Sequence, residues 1–174
     1  MKWAIHILIM TFVFTTQLSY SQGKYETIDC PEATELLYSE INQYRSGYGL
    51  RKLMNHPEME RKSKEWNEYM VSQYINPKNN FYKHSIYGLD EYHYNSNEII
   101  HCVYFNHKPS DYEMVMALMY GDLVNKDREA IGCWVDSPGH DAVLRLRNAE
   151  YFGASVCLFK TDKWWVIYGT VKIR

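Results

Sequence analysis

Two β-rich runs at the C-terminal end of the chain constrain its fold most strongly. Residues 152–160, FGASVCLFK, and residues 164–174, WWVIYGTVKIR, are rich in β-branched and aromatic side chains, which is typical of strands. Only Thr161, Asp162 and Lys163 separate the two runs, and so short a connection leaves room for little but a hairpin turn. We therefore predict an antiparallel pair of strands at the end of the chain.

Earlier in the chain the apolar residues follow a helical period. They recur every three or four positions from Pro31 to Tyr44 and again after Pro57. Each proline suits the first turn of a helix. Gly47-Tyr48-Gly49 ends the first of these predicted helices, and Asn76-Pro77 ends the second.

The middle of the chain adds a strand and more helices. Residues 98–105, EIIHCVYF, have the composition of a buried strand. Ser110 and Glu113 fit a capping box at the start of a third helix, and shorter helices are predicted over 127–135 and 139–147. Because the helices come first and the antiparallel pair comes last, we predict an α+β domain with helices packed on a small antiparallel sheet.

The N-terminal segment has the pattern of a secretory signal peptide. A single lysine precedes an apolar run that extends to about Leu18, and Ser19 and Ser21 are small residues at the positions that signal peptidase reads. The run is interrupted by polar residues and falls short of the ~20 apolar residues that span a bilayer. We expect residues 1–21 to be removed and residues 22–174 to form a single domain with no transmembrane segment.

Charge argues against nucleic acid as a partner. The whole chain has 19 basic and 21 acidic residues, and removal of the signal segment takes away only Lys2, leaving 18 against 21, a net charge of −3. The sequence has no cluster of lysine and arginine of the kind that binds a phosphate backbone.

Four cysteines remain in the expected mature chain, Cys30, Cys102, Cys133 and Cys157. An even number in an exported protein favours two disulfides over metal thiolates, since no pair has Cys-x-x-Cys spacing. Three pairings are open. We prefer Cys102 with Cys133, because they flank a long connection that a crosslink would restrain.

The stretch CWVDSPGHDAVL, residues 133–144, places His140 three residues after Ser137. A serine nucleophile with a histidine base is one interpretation. However, Ser137 has no Gly-x-Ser-x-Gly surroundings, and Pro138 removes a backbone amide that an oxyanion hole would use. We therefore predict that the Ser137 side chain caps the last short helix.

Six segments in order carry a resemblance to a known family. They are residues 40–70, His84-Ser85, Asn97-Glu98-Ile99-Ile100, the Trp134-to-His140 motif WVDSPGH, YFGASV at 151–156 and KWWVIYGTV at 163–171. Together they resemble the CAP superfamily, the SCP domain shared by cysteine-rich secretory proteins, antigen 5 and plant pathogenesis-related proteins, in its bacterial single-domain form. The resemblance extends from about residue 33 to residue 172.

The resemblance implies a three-layer α-β-α sandwich with a cleft where His84, Glu98 and His140 converge. Two neutral imidazoles offer nitrogen donors to a divalent metal such as zinc, while the carboxylate orients one ring or joins the metal ligands. The alternative is a hydrogen-bonded cluster that never holds metal. Ser137 and Tyr87 would also line the cleft, and because Ser137 stands where eukaryotic members have a second glutamate, a full two-histidine, two-glutamate set is absent.

For function, the resemblance implies an exported binding module, secreted, periplasmic or at the cell surface, whose ligand is a metal, a small molecule, a lipid or a component of the cell envelope. A hydrolase of peptide or cell-wall substrates, with His140 or Glu98 as general base, is the first alternative. A lipid or sterol binder is the second. A binder needs only the cleft, whereas an enzyme also needs a positioned nucleophile or an activated water, so we favour the binding module and expect a monomer.

Overall fold

The computed structural model describes residues 24–75, 83–85, 96–121 and 133–174. Within these ranges the chain forms four helices and five strands. The helices are α1 (Pro31–Gly47), α2 (Pro57–Gln73), α3 (Asp111–Tyr120) and α4 (Pro138–Leu144), and the strands are β1 (Ile28–Asp29), β2 (Met54–Asn55), β3 (Asn97–Phe105), β4 (Tyr151–Lys160) and β5 (Trp165–Ile173).

The predicted C-terminal hairpin is confirmed and forms the centre of the sheet. Strands β4 and β5 pair antiparallel along their whole length, from Phe152 opposite Ile173 to Lys160 opposite Trp165. The strand order is β1-β4-β5-β3, with antiparallel neighbours, and β2 pairs with β4 in parallel. The two-residue strands β1 and β2 were not predicted.

Helices cover both faces of this sheet. Alternate side chains of each strand point to opposite faces, so Ile99 and Phe105 of β3 pack with α1 and α3, whereas Ile100 packs with α2. The close approach of α2 to β4 requires Gly153, because a side chain there would overlap the backbone of Met59 and Glu60. The predicted α+β class and the three-layer α-β-α arrangement are confirmed.

The two predicted helix caps have different outcomes. At the start of α3, the Ser110 side chain accepts a hydrogen bond from the Glu113 amide, and the Glu113 carboxylate accepts one from the Ser110 amide, so the predicted capping box is confirmed. Ser137 stands at the N-cap of α4, but its side chain makes no capping hydrogen bond, so that prediction is wrong. The backbone begins this helix instead, since the Ser137 carbonyl accepts from the Asp141 amide.

None of the four cysteines forms a disulfide, which corrects the prediction of two pairs. Cys102 of β3 and Cys157 of β4 both lie opposite Tyr168, on the two sides of β5. Two strand spacings therefore separate their Cα atoms, a distance of about 9.5 Å. A disulfide requires Cα atoms only ~4.4–6.8 Å apart. The sheet separates Cys102 from Cys133, the pair preferred from the sequence. Cys102 packs on the α2 face, while Cys133 precedes Trp134, which packs with α1 and α3.

Other predictions meet the structure only in part. The predicted helix over 127–135 lies mostly outside the described residues, and its end, 134–136, is a turn. The last short helix spans Pro138–Leu144 instead of 139–147. The predicted signal segment lies outside the described residues. In the described ranges, every helix is too short or too polar to cross a lipid bilayer.

Candidate ligand-binding site at the edge of the sheet

The site is built around Glu98, the second residue of β3. This strand ends the sheet in the described part of the chain, and Glu98 is directly opposite Lys172 of β5. Both side chains are almost completely buried, with 2% and 0% exposure. The Lys172 ammonium donates hydrogen bonds to the Glu98 carboxylate and to the Ser85 hydroxyl. A buried ion pair therefore forms the base of the site.

His84 and Ser85 reach Glu98 from a short segment that is anchored on both sides. The Trp66 indole of α2 donates to the Lys83 carbonyl at 2.9 Å. The Ser85 amide donates to Glu98 Oε1 at 2.8 Å, and the Ser85 hydroxyl donates to Glu98 Oε2. Between these anchors, His84 Nδ1 lies 3.1 Å from Glu98 Oε1, so the carboxylate orients the imidazole ring.

The contacts of Glu98 keep it ionised. Burial alone would raise its pKa, but the hydrogen bond with His84, the charge and hydrogen bond of Lys172 and the Ser85 hydroxyl outweigh burial and lower the pKa of Glu98 to about 2. Glu98 is a carboxylate at neutral pH. Its negative charge is already balanced by Lys172.

His140 comes to the site on α4. The turn before this helix is fixed to the end of α3, since the Trp134 and Val135 amides donate to the Leu118 and Met119 carbonyls. His140 is the third residue of α4, a helix that packs against β3.

The two predicted histidines do come together. The ring centroids of His84 and His140 are 6.2 Å apart, with the planes inclined by 57°. Burial, and then the positive charge that His84 can carry, lower the pKa of His140, so the ring is neutral at neutral pH. Among the described residues, His140 Nδ1 is buried without a hydrogen-bond partner.

His101 lies close to this pair on β3. Burial and the charge of His140 lower the pKa of His101 to about 4. The His101 side chain is half-buried.

The donor set can be compared with what a divalent metal requires. In the described ranges, no group of three histidine, cysteine, aspartate or glutamate side chains is arranged to hold a metal ion. Both Glu98 oxygens already accept hydrogen bonds, from His84, Ser85 and Lys172. Glu98 therefore does not fit as a direct ligand, whereas His84 and His140 fit as a pair of nitrogen donors.

Ser137 and Tyr87 were also predicted to line the cleft. Ser137 is half-buried, three residues before His140, and forms no capping bond. Tyr87 lies outside the described residues. Trp134 lies in a turn and is completely buried in the core with α1 and α3.

Sequence reasoning did not identify Lys172 or Ser85 as part of the site. One signal was available for Lys172, because it is the only charged residue among the nine of β5. A lone charge in an otherwise uncharged strand requires a partner, and Glu98, the only charged residue of β3, supplies it. Ser85 carried no comparable signal.

A groove of about 650 Å³ lies elsewhere, between α1 and β2, and contains none of the histidines. Its two asparagine side chains are used internally. Asn42 bonds the Leu53 backbone in both directions, and Asn55 bonds Glu60 and Tyr38. These hydrogen bonds join α1, β2 and α2 across the groove. The histidine pair is therefore the better candidate for a ligand-binding site.

Comparison with known proteins decides the family. Residues 38–168, which are 131 of 174, match the sequence profile of the cysteine-rich secretory protein family, CAP. The chain belongs to the CAP family. The family match covers all four helices except the start of α1, and it includes His84, Glu98 and His140, so the resemblance drawn from sequence motifs is confirmed.

Two solved structures are similar to this CAP protein. An outer surface protein of Borrelia burgdorferi is 17% identical with a TM-score of 0.47, covering 85% of this chain and 97% of its own. A cysteine-rich secretory protein of Staphylococcus aureus is 13% identical with a TM-score of 0.46, covering 82% of this chain and 38% of its own. No curated protein matches the chain.

Proposed function

We propose that this CAP protein is an exported binding module whose ligand contacts the imidazoles of His84 and His140. One observation carries the proposal: the centroids of the two rings are 6.2 Å apart, and His140 Nδ1 is buried without a hydrogen-bond partner among the described residues. A buried polar atom without a partner costs free energy that a ligand can recover. The N-terminal signal-peptide pattern supports export.

The ligand class that suits this pair is a divalent cation such as zinc, held by two neutral imidazoles and completed by water or by a group of a second ligand. Histidine nitrogen is a preferred zinc donor, and the depressed pKa of His140 keeps its lone pair available at neutral pH. Glu98 would act through His84, by fixing the orientation of that ring. A bound cation would supply a positive charge to which an anionic group can bind.

A zinc titration of the mature chain at neutral pH tests the proposal. We expect one site in the wild type, and we expect it to be lost in His84→Ala and in His140→Ala. His107→Ala is the matched control, because His107 is exposed and contacts Asn106 and Glu113 away from the site. Equal binding by wild type and by the His84→Ala, His140→Ala double variant would rule out this site.

A hydrolase is the second candidate, and the neutral state of His140 favours it in one respect, since a neutral imidazole can accept a proton. Glu98 is a poor general base by comparison, because its pKa of about 2 leaves it little affinity for a proton. If peptide or cell-wall fragments are cleaved by the wild type and not by His140→Ala, the enzyme is favoured over the binding module.

A further inference from the structure

We propose that Tyr44 and Arg45, consecutive residues of α1, are positioning residues that hold α4 in the register that places His140 against His84. The inference rests on the proposed function, because it concerns how the same histidine pair is assembled. It follows from the contacts that these two residues make with the first turn and with the C-terminal end of α4.

Arg45 holds the C-terminal end of α4. Its side chain is completely buried, and its guanidinium donates to the carbonyls of Leu144 at 2.6 Å, of Leu146 at 3.1 Å and of Arg51 at 3.1 Å. The last carbonyls of a helix have no partner within the helix, and a cation there is also favoured by the helix dipole. Arg45 therefore supplies both the hydrogen-bond donors and the positive charge that the C-terminal end of α4 favours.

Tyr44 holds the helix near its beginning. Its hydroxyl donates to Asp141 Oδ1 at 2.5 Å, and Asp141 is the residue after His140. Arg145, one turn later, pairs with the same carboxylate and lies over the Tyr48 ring, 4.8 Å from its centroid. The polar side of α4 is therefore tied to the C-terminal end of α1.

These contacts matter for His140 because they help to fix the short helix that carries it. A seven-residue helix is too short to be stable by itself. The Nδ1 atom of His140 makes no hydrogen bond within the described residues, so the ring lies where the backbone of α4 places it. A small rotation or shift of α4 would change its separation from His84.

The test compares Tyr44→Phe with Tyr120→Phe in the full mature chain. Both changes remove one tyrosine hydroxyl that bonds a carboxylate on another helix, but the bond of Tyr120 to Glu40, at 2.6 Å, joins α3 to α1, whereas the bond of Tyr44 to Asp141 joins α1 to α4. We expect Tyr44→Phe to weaken zinc binding about tenfold and to shift the imidazole NMR signals of His140 in the zinc-free protein. Tyr120→Phe should bind as the wild type and leave those signals unchanged.

Arg45 gives a second measurement. Arg45→Lys retains a cation for the carbonyls of Leu144 and Leu146, so it should bind zinc more tightly than Arg45→Met at a temperature where both variants are folded. Unchanged His140 signals and unchanged affinity in Tyr44→Phe would overturn the proposal, as would equal losses in Tyr44→Phe and Tyr120→Phe. If the wild type binds no zinc, the proposed function fails, whereas the NMR signals of His140 still decide whether Tyr44 positions the ring.

Discussion

A buried carboxylate and a buried ammonium meet on neighbouring strands at the base of the histidine pair. Removing water from two charges is costly, and their mutual attraction repays that cost only when hydrogen bonds complete the arrangement. Ser85 completes it, by donating to Glu98 and accepting from Lys172. The pair therefore depends on both charges being present.

Removing one charge should destabilise the protein strongly. We expect Glu98→Gln or Lys172→Met to lower the free energy of unfolding by about 3–5 kcal/mol, because each leaves the other charge buried and unpaired. The double variant should lose less than the sum of the two. Urea unfolding of all four proteins measures this coupling, and strictly additive losses would show that the pair does not act as a unit.

The same pair makes stability depend on pH. The pKa of Glu98 is about 2 in the folded chain, below the ~4.3 of an unfolded glutamate. Its contribution is therefore fully present above about pH 5 and is lost as the pH falls towards 2. Glu98→Gln should have a shallower decline over this range, as followed by unfolding at a series of pH values; identical slopes would contradict the assignment.

At the scale of single elements, α3 and α4 begin in different ways although a serine stands at the N-cap of each. Ser110→Ala removes a complete capping box and should cost about 1 kcal/mol. Ser137→Ala removes no capping bond and should change stability little. Thermal unfolding of the two variants checks the contrast, and a large loss in Ser137→Ala would show that its hydroxyl has a structural partner after all.

Prediction from sequence succeeded for elements that long, regular patterns specify. The hairpin of β4 and β5 was predictable because both strands are long and one short turn joins them, and α1 and α2 because each shows an apolar stripe. The two-residue strands β1 and β2 have no comparable pattern, since the neighbouring strand defines them.

The site was predictable to a lesser extent. No spacing rule brings His84, Glu98 and His140 together, and only the motif resemblance did so. The role of Lys172 depends on strand register, which fixes it opposite Glu98. The disulfide prediction was wrong for the same physical reason, because a count of cysteines does not tell which face of the sheet each side chain occupies.

For the whole molecule, the cysteine arrangement predicts a protein that is stable without crosslinks. Burial raises the pKa of the Cys157 thiol well above its usual value, which makes it unreactive. We expect the purified chain to have the same intact mass with and without reductant, and Cys157 to be alkylated only after denaturation. A mass lower by two hydrogens per bridge without reductant would show that a disulfide forms.

We propose that this CAP fold assembles one binding site from His84 and His140, while Glu98 pairs with Lys172 and orients His84. The most direct test is a crystal of the mature chain soaked in zinc, with anomalous diffraction recorded at the zinc edge. We predict one strong peak within bonding distance of a nitrogen atom of each histidine. The Glu98 carboxylate should remain paired with the Lys172 ammonium. A zinc peak within bonding distance of Glu98, with Lys172 displaced, would show a different set of ligands, and no peak beside the two rings would show that the histidine pair is not a zinc site.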